Sequence, residues 1–141
     1  MNLQGDEPLM NIEDIQNLNK QMIQNKSYFG TLAAKINNKK VFENYNIVKV
    51  ITEDNIEKKK ISRAKKFLRK CKHPEKNAYG HIGIYQFRSS ILKKFINLKQ
   101  SKNEIKYRIE QLRAIENGIN IDVVYSKNKS CLLYTSPSPR D

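Results

Sequence analysis

Asp6 stands directly after a glycine in the opening stretch MNLQGDEP, at the end of a short apolar-leaning segment. A carboxylate in that position can end a plain turn. It can also hold Mg2+ between itself and substrate phosphates, with Gly5 letting the backbone come close. His81 opens a second stretch of interest, HIGIYQF, which alternates as a strand does. The strand period of two puts residues 81, 83 and 85 on one face. The imidazole of His81 and the phenol of Tyr85 can therefore line one pocket, with room left by Gly83, or His81 can be a half-exposed strand end. Arg63, in ISRA, can grip a carboxylate or phosphate through two parallel hydrogen bonds, or be one more charge in a solvated stretch. Glu104 and Gln111 are seven residues apart and share a helix face, with Glu110 and Arg113 nearby. They sit at the rim of an apolar face carrying Ile105 and Ile109, as candidates for sugar hydroxyls or as ordinary boundary residues.

Other chemistries lack their signatures. The sequence has no Walker loop, no dinucleotide glycine fingerprint, no zincin motif and no serine nucleophile elbow. Its 141 residues suffice for one modest domain with one core. Lys and Arg number 27 against 14 Asp and Glu, a formal charge of +13 that attracts anions such as nucleotide phosphates, sugar acids, nucleic acid or acidic lipid. Much of the excess is Lys scattered among Asn and Ile, which also fits an AT-rich genome. Tyrosines and phenylalanines amid lysines raise a nucleic-acid reading, but they do not recur as a strand motif, and no helix-turn-helix pattern stands out. Cys71 and Cys131 have neither zinc nor disulfide-framework spacing, as in a reduced cytoplasmic protein. No run of about 18 apolar residues is long enough to span a membrane, and no signal peptide is visible.

The elements that must position these residues follow from periodicity. Asn11 with Asp14 can close a capping box ahead of a helix carrying Ile12, Ile15, Leu18 and Met22. Residues 28–36 read as a strand, 37–44 as a turn or short helix, and the β-branched VKVIT as a buried strand. Residues 56–78 are basic with few apolar anchors, and are either a strand near Ile61 or a surface arm. A strand over 81–87 leads to a helix that Ser89 or Ser90 can cap. Ser101 with Glu104 forms a second capping box, and Gly118 stands where the last helix would stop. Residues 119–125 are another strand. Strands separated by amphipathic helices predict a layered α/β fold with a mainly parallel sheet. The tail CLLYTSPSPRD differs in character from the Asn- and Lys-rich chain before it and resembles translated sequencing-adapter read-through. Residues 1–130 are therefore taken as the domain and 131–141 as a non-native tail.

NLQGDEPL, NIVKVI, ISRA, HIGIYQFR and EQLRAIENG, in this order, resemble the CMP-KDO synthetases, the 3-deoxy-manno-octulosonate cytidylyltransferases. The resemblance runs from Asn2 to about Val124. It implies an incomplete three-layer, Rossmann-like mixed sheet of the nucleotide-diphospho-sugar-transferase type. It implies a cytoplasmic, magnesium-dependent homodimer that couples CTP and 3-deoxy-manno-octulosonate (KDO) to CMP-KDO and pyrophosphate for lipopolysaccharide synthesis, with no membrane or nucleic-acid partner. On that pattern Asp6 is the metal-binding aspartate and Gln4 lies near the nucleotide or sugar. Arg63, His81 and Tyr85 line the KDO side, Glu104 and Gln111 meet sugar hydroxyls, and Lys49 lies close behind the pocket as a catalytic residue. The family's nucleotide-gripping loop and its second metal-binding aspartate have no counterpart in this sequence. An internal fragment without turnover of its own is the expectation. The alternatives are a cytidylyltransferase for a sialic- or legionaminic-type acid, or a basic nucleic-acid-binding fragment.

Overall fold

The computed structural model describes residues 12–36, 39–70 and 76–126. The elements run α1 (Ile12–Gln24), β1 (Phe29–Ala34), α2 (Lys39–Glu43), β2 (Lys49–Thr52), α3 (Ile56–Lys59), β3 (Ile61–Leu68), β4 (Ala78–Phe87), α4 (Ser89–Ile96), α5 (Lys102–Tyr107), α6 (Gln111–Glu116) and β5 (Asp122–Ser126). Gln4, Asp6, the Asn11 cap, both cysteines and residues 131–141 lie outside the described residues.

The strands form a closed barrel in the order β1-β4-β2-β3-β5. This corrects the expectation of an open, Rossmann-like layered sheet. Among the described residues only β1 and β5 pair in parallel, and the other four pairings are antiparallel. Closure depends on β3, the segment whose basic sequence left its structure open. It pairs with β2 on one side and with β5 on the other. Ser62, Ala64 and Phe67 are buried while Arg63, Lys65 and Lys66 are exposed. A register shift between Ile51 and Thr52 accommodates the extra residue that places two lysines side by side. A second irregularity interrupts β1–β4, where Thr31 faces Tyr85 but Leu32 faces Ile82. Bulges of this kind bend strands and raise their twist, which a small closed sheet requires.

β1 is buried along its whole length because both its faces are covered. On one face Leu32 and Ala34 pack with Leu18 and Met22 of α1 and with Ile82, Ile84 and Val124. On the other, Phe29 and Ala33 join Val50, Phe67, Ile109, Ala114 and Val123. Gly30 lets α1 come close, since a Cβ there would lie 2.5 Å from the Met22 sulfur. Two short hydrogen bonds hold β5 at either end: Ser126 donates to Asp14 of α1 and Ser27 to Asp122, both at 2.5 Å.

The expected long helix near the end is divided. Ser101 and Glu104 make the predicted capping box, and Gly118 adopts φ +77° after α6. Between them Arg108 turns left-handed at φ 56° and ends α5. Arg69, from the end of β3, donates to the carbonyls of Tyr107 and Arg108 at 2.6 and 2.7 Å. These are carbonyls that a helix end leaves without partners, so a distant strand caps α5.

Candidate active site

His81 lies in β4, paired in register with Ala33 of β1, and is buried. Its ring meets Phe67 edge-on at 5.4 Å between centroids, and Tyr85 lies at 5.5 Å. The expectation that His81 and Tyr85 share a face is met. Gln111, in the first turn of α6, reaches His81 from above: its amide nitrogen lies 3.2 Å from Nδ1. The same amide nitrogen lies 3.5 Å from Nε2, so it rests against the ring, and Nε2 lies 2.9 Å from the hydroxyl of Thr31. Burial lowers the imidazole pKa to about 3, so the ring is neutral at ordinary pH.

Next to this cluster is a cavity of about 230 Å3. Phe29, Tyr85, Phe87, Leu92 and Phe95 wall it, and Glu110 and Gln111 supply its polar side. The rings pack against one another, with Phe29 and Phe87 at 4.2 Å and Phe29 and Phe95 at 5.8 Å. Burial, with the Glu110 charge in second place, pushes the Tyr85 phenol well up, so its hydroxyl remains a proton donor. Apolar walls with a few placed polar groups are the usual make-up of a small-molecule site.

The other candidates take different places. Glu104 is buried and faces Arg113, whose guanidinium donates to both carboxylate oxygens at 2.9 and 2.6 Å. Those bonds hold the carboxyl below its ordinary range, against the opposing effect of burial. Arg113 also stacks over Phe95 at 4.7 Å, so the pair supports the cavity wall from behind. Lys49 is fully buried, and its ammonium donates to the carbonyls of Asn44 and, at 2.8 Å, Arg69. Arg63 is exposed on β3, opposite Asp122, and is not among the side chains lining the cavity.

Among the candidates, then, the fold gathers His81, Tyr85 and Gln111. It adds Thr31, which the sequence did not single out, and Glu110, named only as a neighbour of Glu104 and Gln111 at the rim of the helix face. A signal existed for Thr31: it is the one hydroxyl in the otherwise apolar strand FGTLAA. Glu110 was obscured because an unbroken helix would have placed Glu104 and Gln111 together, whereas the turn at Arg108 separates them. Among the described residues no group of three His, Cys, Asp or Glu side chains is gathered as a metal would require.

A family model described as cytidylyltransferase matches residues 1–122. The chain belongs to the cytidylyltransferase family. Within this family its sequence is 43% identical over 131 residues to the 3-deoxy-manno-octulosonate cytidylyltransferase of Thermodesulfovibrio yellowstonii, covering 87% of this chain and 50% of the relative. The enzyme of the same description from Lawsonia intracellularis is 35% identical over 130 residues, with 92% and 51% covered. The fold superposes on a CMP:2-keto-3-deoxy-manno-octonic acid synthetase solved in complex with CTP, with TM-score 0.76 and 30% identity. That match covers 89% of this chain and 52% of that structure. The cytidylyltransferase chain thus spans about half the length of the curated relatives it matches.

Proposed function

We propose that this chain supplies the sugar-acid side of a cytidylyltransferase acting on CTP and KDO. In that reaction the anomeric hydroxyl oxygen of KDO bonds to the α-phosphorus of CTP, and the bond to the departing pyrophosphate breaks. The observation that carries the reading is the cavity between β4 and α6, where Tyr85, Glu110 and Gln111 face a ring-lined space beside a neutral, buried His81. Glu110 and Gln111 offer acceptors to sugar hydroxyls, and the Tyr85 hydroxyl offers a donor. The aromatic walls exclude water and hold the carbon skeleton, so the contribution of these residues is positioning. Arg63 is proposed to meet an anionic substrate group from β3. Glu104 is proposed to serve the site through Arg113, and Lys49 by fixing the segment between α2 and the end of β3.

Gln4 and Asp6 complete the proposal, with Asp6 as the ligand of magnesium. That part rests on the family resemblance. The residues described bind and orient the sugar acid; the metal, when bound, neutralises triphosphate charge. A homodimer in the cytoplasm accompanies the reading for the longer relatives.

The test is calorimetric titration of the 141-residue chain with KDO and, in parallel, with N-acetylneuraminate. Saturable binding of KDO in preference to the nine-carbon acid is expected. Replacing Gln111→Leu or Tyr85→Phe should weaken it by about tenfold each, the usual cost of one lost polar contact. Equal affinity for both acids, or no effect of either substitution, counts against this function.

A further inference from the structure

We infer that Thr31 is a positioning residue, which fixes the tautomer of His81 and holds its ring under the Gln111 amide at the edge of the cavity. The inference rests on the proposed function for the identity of the ligand, but its geometric core does not.

The irregularity in β1–β4 sets the surroundings of the Thr31 hydroxyl. Between the pairs Thr31–Tyr85 and Leu32–Ile82, β4 has two residues more than β1. The carbonyls of Ile82 and Ile84 are brought to the Thr31 hydroxyl, at 3.2 and 2.7 Å. A hydroxyl has one proton to give. Thr31 spends it on these carbonyls, chiefly that of Ile84, and so meets His81 as an acceptor. At 2.9 Å, Nε2 of His81 must therefore be the donor. A neutral imidazole with its proton on Nε2 has a bare Nδ1, which can only accept. The Gln111 amide nitrogen lies 3.2 Å from Nδ1 and 3.5 Å from Nε2, so it rests against the face of the ring, on the side of the bare nitrogen. The bonds thus run one way, His81 to Thr31 and Thr31 to the carbonyls of the irregular strand, with the Gln111 amide resting on the ring they hold. Burial of the imidazole, which keeps it neutral, is consistent with this direction.

The consequence reaches the ligand. The Gln111 side chain has no hydrogen-bonding neighbour other than His81 among the described residues, so its oxygen is the half left for a ligand. With the Glu110 carboxylate beside it, the polar side of the cavity is rich in acceptors. Such a wall selects hydroxyl groups and disfavours a carboxylate. The acid group of a sugar acid therefore points away from Gln111, and its polyol portion faces it. A methyl group in place of the Thr31 hydroxyl would release His81 to either tautomer. It would also remove the bond that holds the ring in place beneath the Gln111 amide.

The experiment uses the 141-residue chain with His73→Asn, which leaves His81 as the one histidine, and 15N-labelled imidazole. Long-range 1H–15N spectra distinguish the two tautomers directly. The expected result is a pure Nε2–H ring in the parent and in Thr31→Ser, and a second, Nδ1–H population in Thr31→Val. KDO affinity should fall about tenfold in Thr31→Val and recover in Thr31→Ser. A parent ring protonated on Nδ1 overturns the inference even if Thr31→Val does not fold. So does an unchanged tautomer in a folded Thr31→Val chain. Expected tautomers without KDO binding to the parent would instead refute the proposed substrate and leave the hydrogen-bond assignment supported.

Discussion

At the scale of single residues, two buried ionisable groups, His81 and Glu104, both make the fold less stable in acid, over different pH ranges. His81 has a folded pKa of about 3 against 6.5 for a free imidazole. The unfolded chain therefore takes up a proton that the folded chain refuses. Its contribution to stability is complete above pH 6.5 and falls as pH drops toward 3, at up to about 1.4 kcal/mol per pH unit. Urea unfolding measured between pH 4 and 6.5 should show that slope, and His81→Gln should flatten it. Glu104 acts at lower pH. Its hydrogen bonds to Arg113 hold its pKa below 4.5, so its stabilising effect is present above 4.5 and is lost as pH falls through the lowered value. Glu104→Gln should cost about 1.5–3 kcal/mol at pH 7, the usual worth of hydrogen bonds to a charged group. The cost should shrink in acid, where the wild-type carboxyl is also neutral. Because Arg113 stacks on Phe95, the same substitution should loosen the cavity wall and weaken ligand binding as well.

At the scale of elements, close packing of α1 on β1 depends on one position. Gly30→Ala would place a methyl group 2.5 Å from the Met22 sulfur and 3.2 Å from a Leu18 methyl. Thermal unfolding should show a loss of about 1–3 kcal/mol, as for other overpacked cores, and adding Met22→Ala should recover part of it. Local signals in the sequence held in part: Arg88, with no side-chain cap, rather than Ser89 or Ser90 stands at the N-cap of α4. The Ser101–Glu104 box and the Gly118 stop depend on residues within one turn, so their spacing reads directly. Strand period two likewise put His81 and Tyr85 on one face. What did not read directly was non-local. The β3 strand has adjacent exposed lysines where a bulge breaks its alternation, so its pairing with both β2 and β5 was hidden. The left-handed turn at Arg108 is favoured by carbonyl contacts from Arg69, 39 positions earlier in the chain, and it decides that Glu110 rather than Glu104 faces the cavity. Ile105, placed on the apolar face by an unbroken helix, is 61% exposed for the same reason.

At the scale of the whole molecule, a barrel of five short strands carries a ring-lined cavity on one side and a strongly basic strand, β3, on another. The net charge of +13 belongs to the whole surface and does not by itself name a ligand. The proposed sugar-acid substrate would occupy the cavity, whereas a polyanion would draw on Arg63, Lys65 and the other exposed cations. These two sites can be told apart in one titration. The most direct measurement is the NMR footprint of KDO on the isotopically labelled chain, following aromatic and backbone signals together. The account predicts saturable shifts concentrated on Phe29, Tyr85, Phe87, Phe95 and Gln111. Shifts confined to the exposed basic residues of β3, or no shift at saturating KDO, would contradict it.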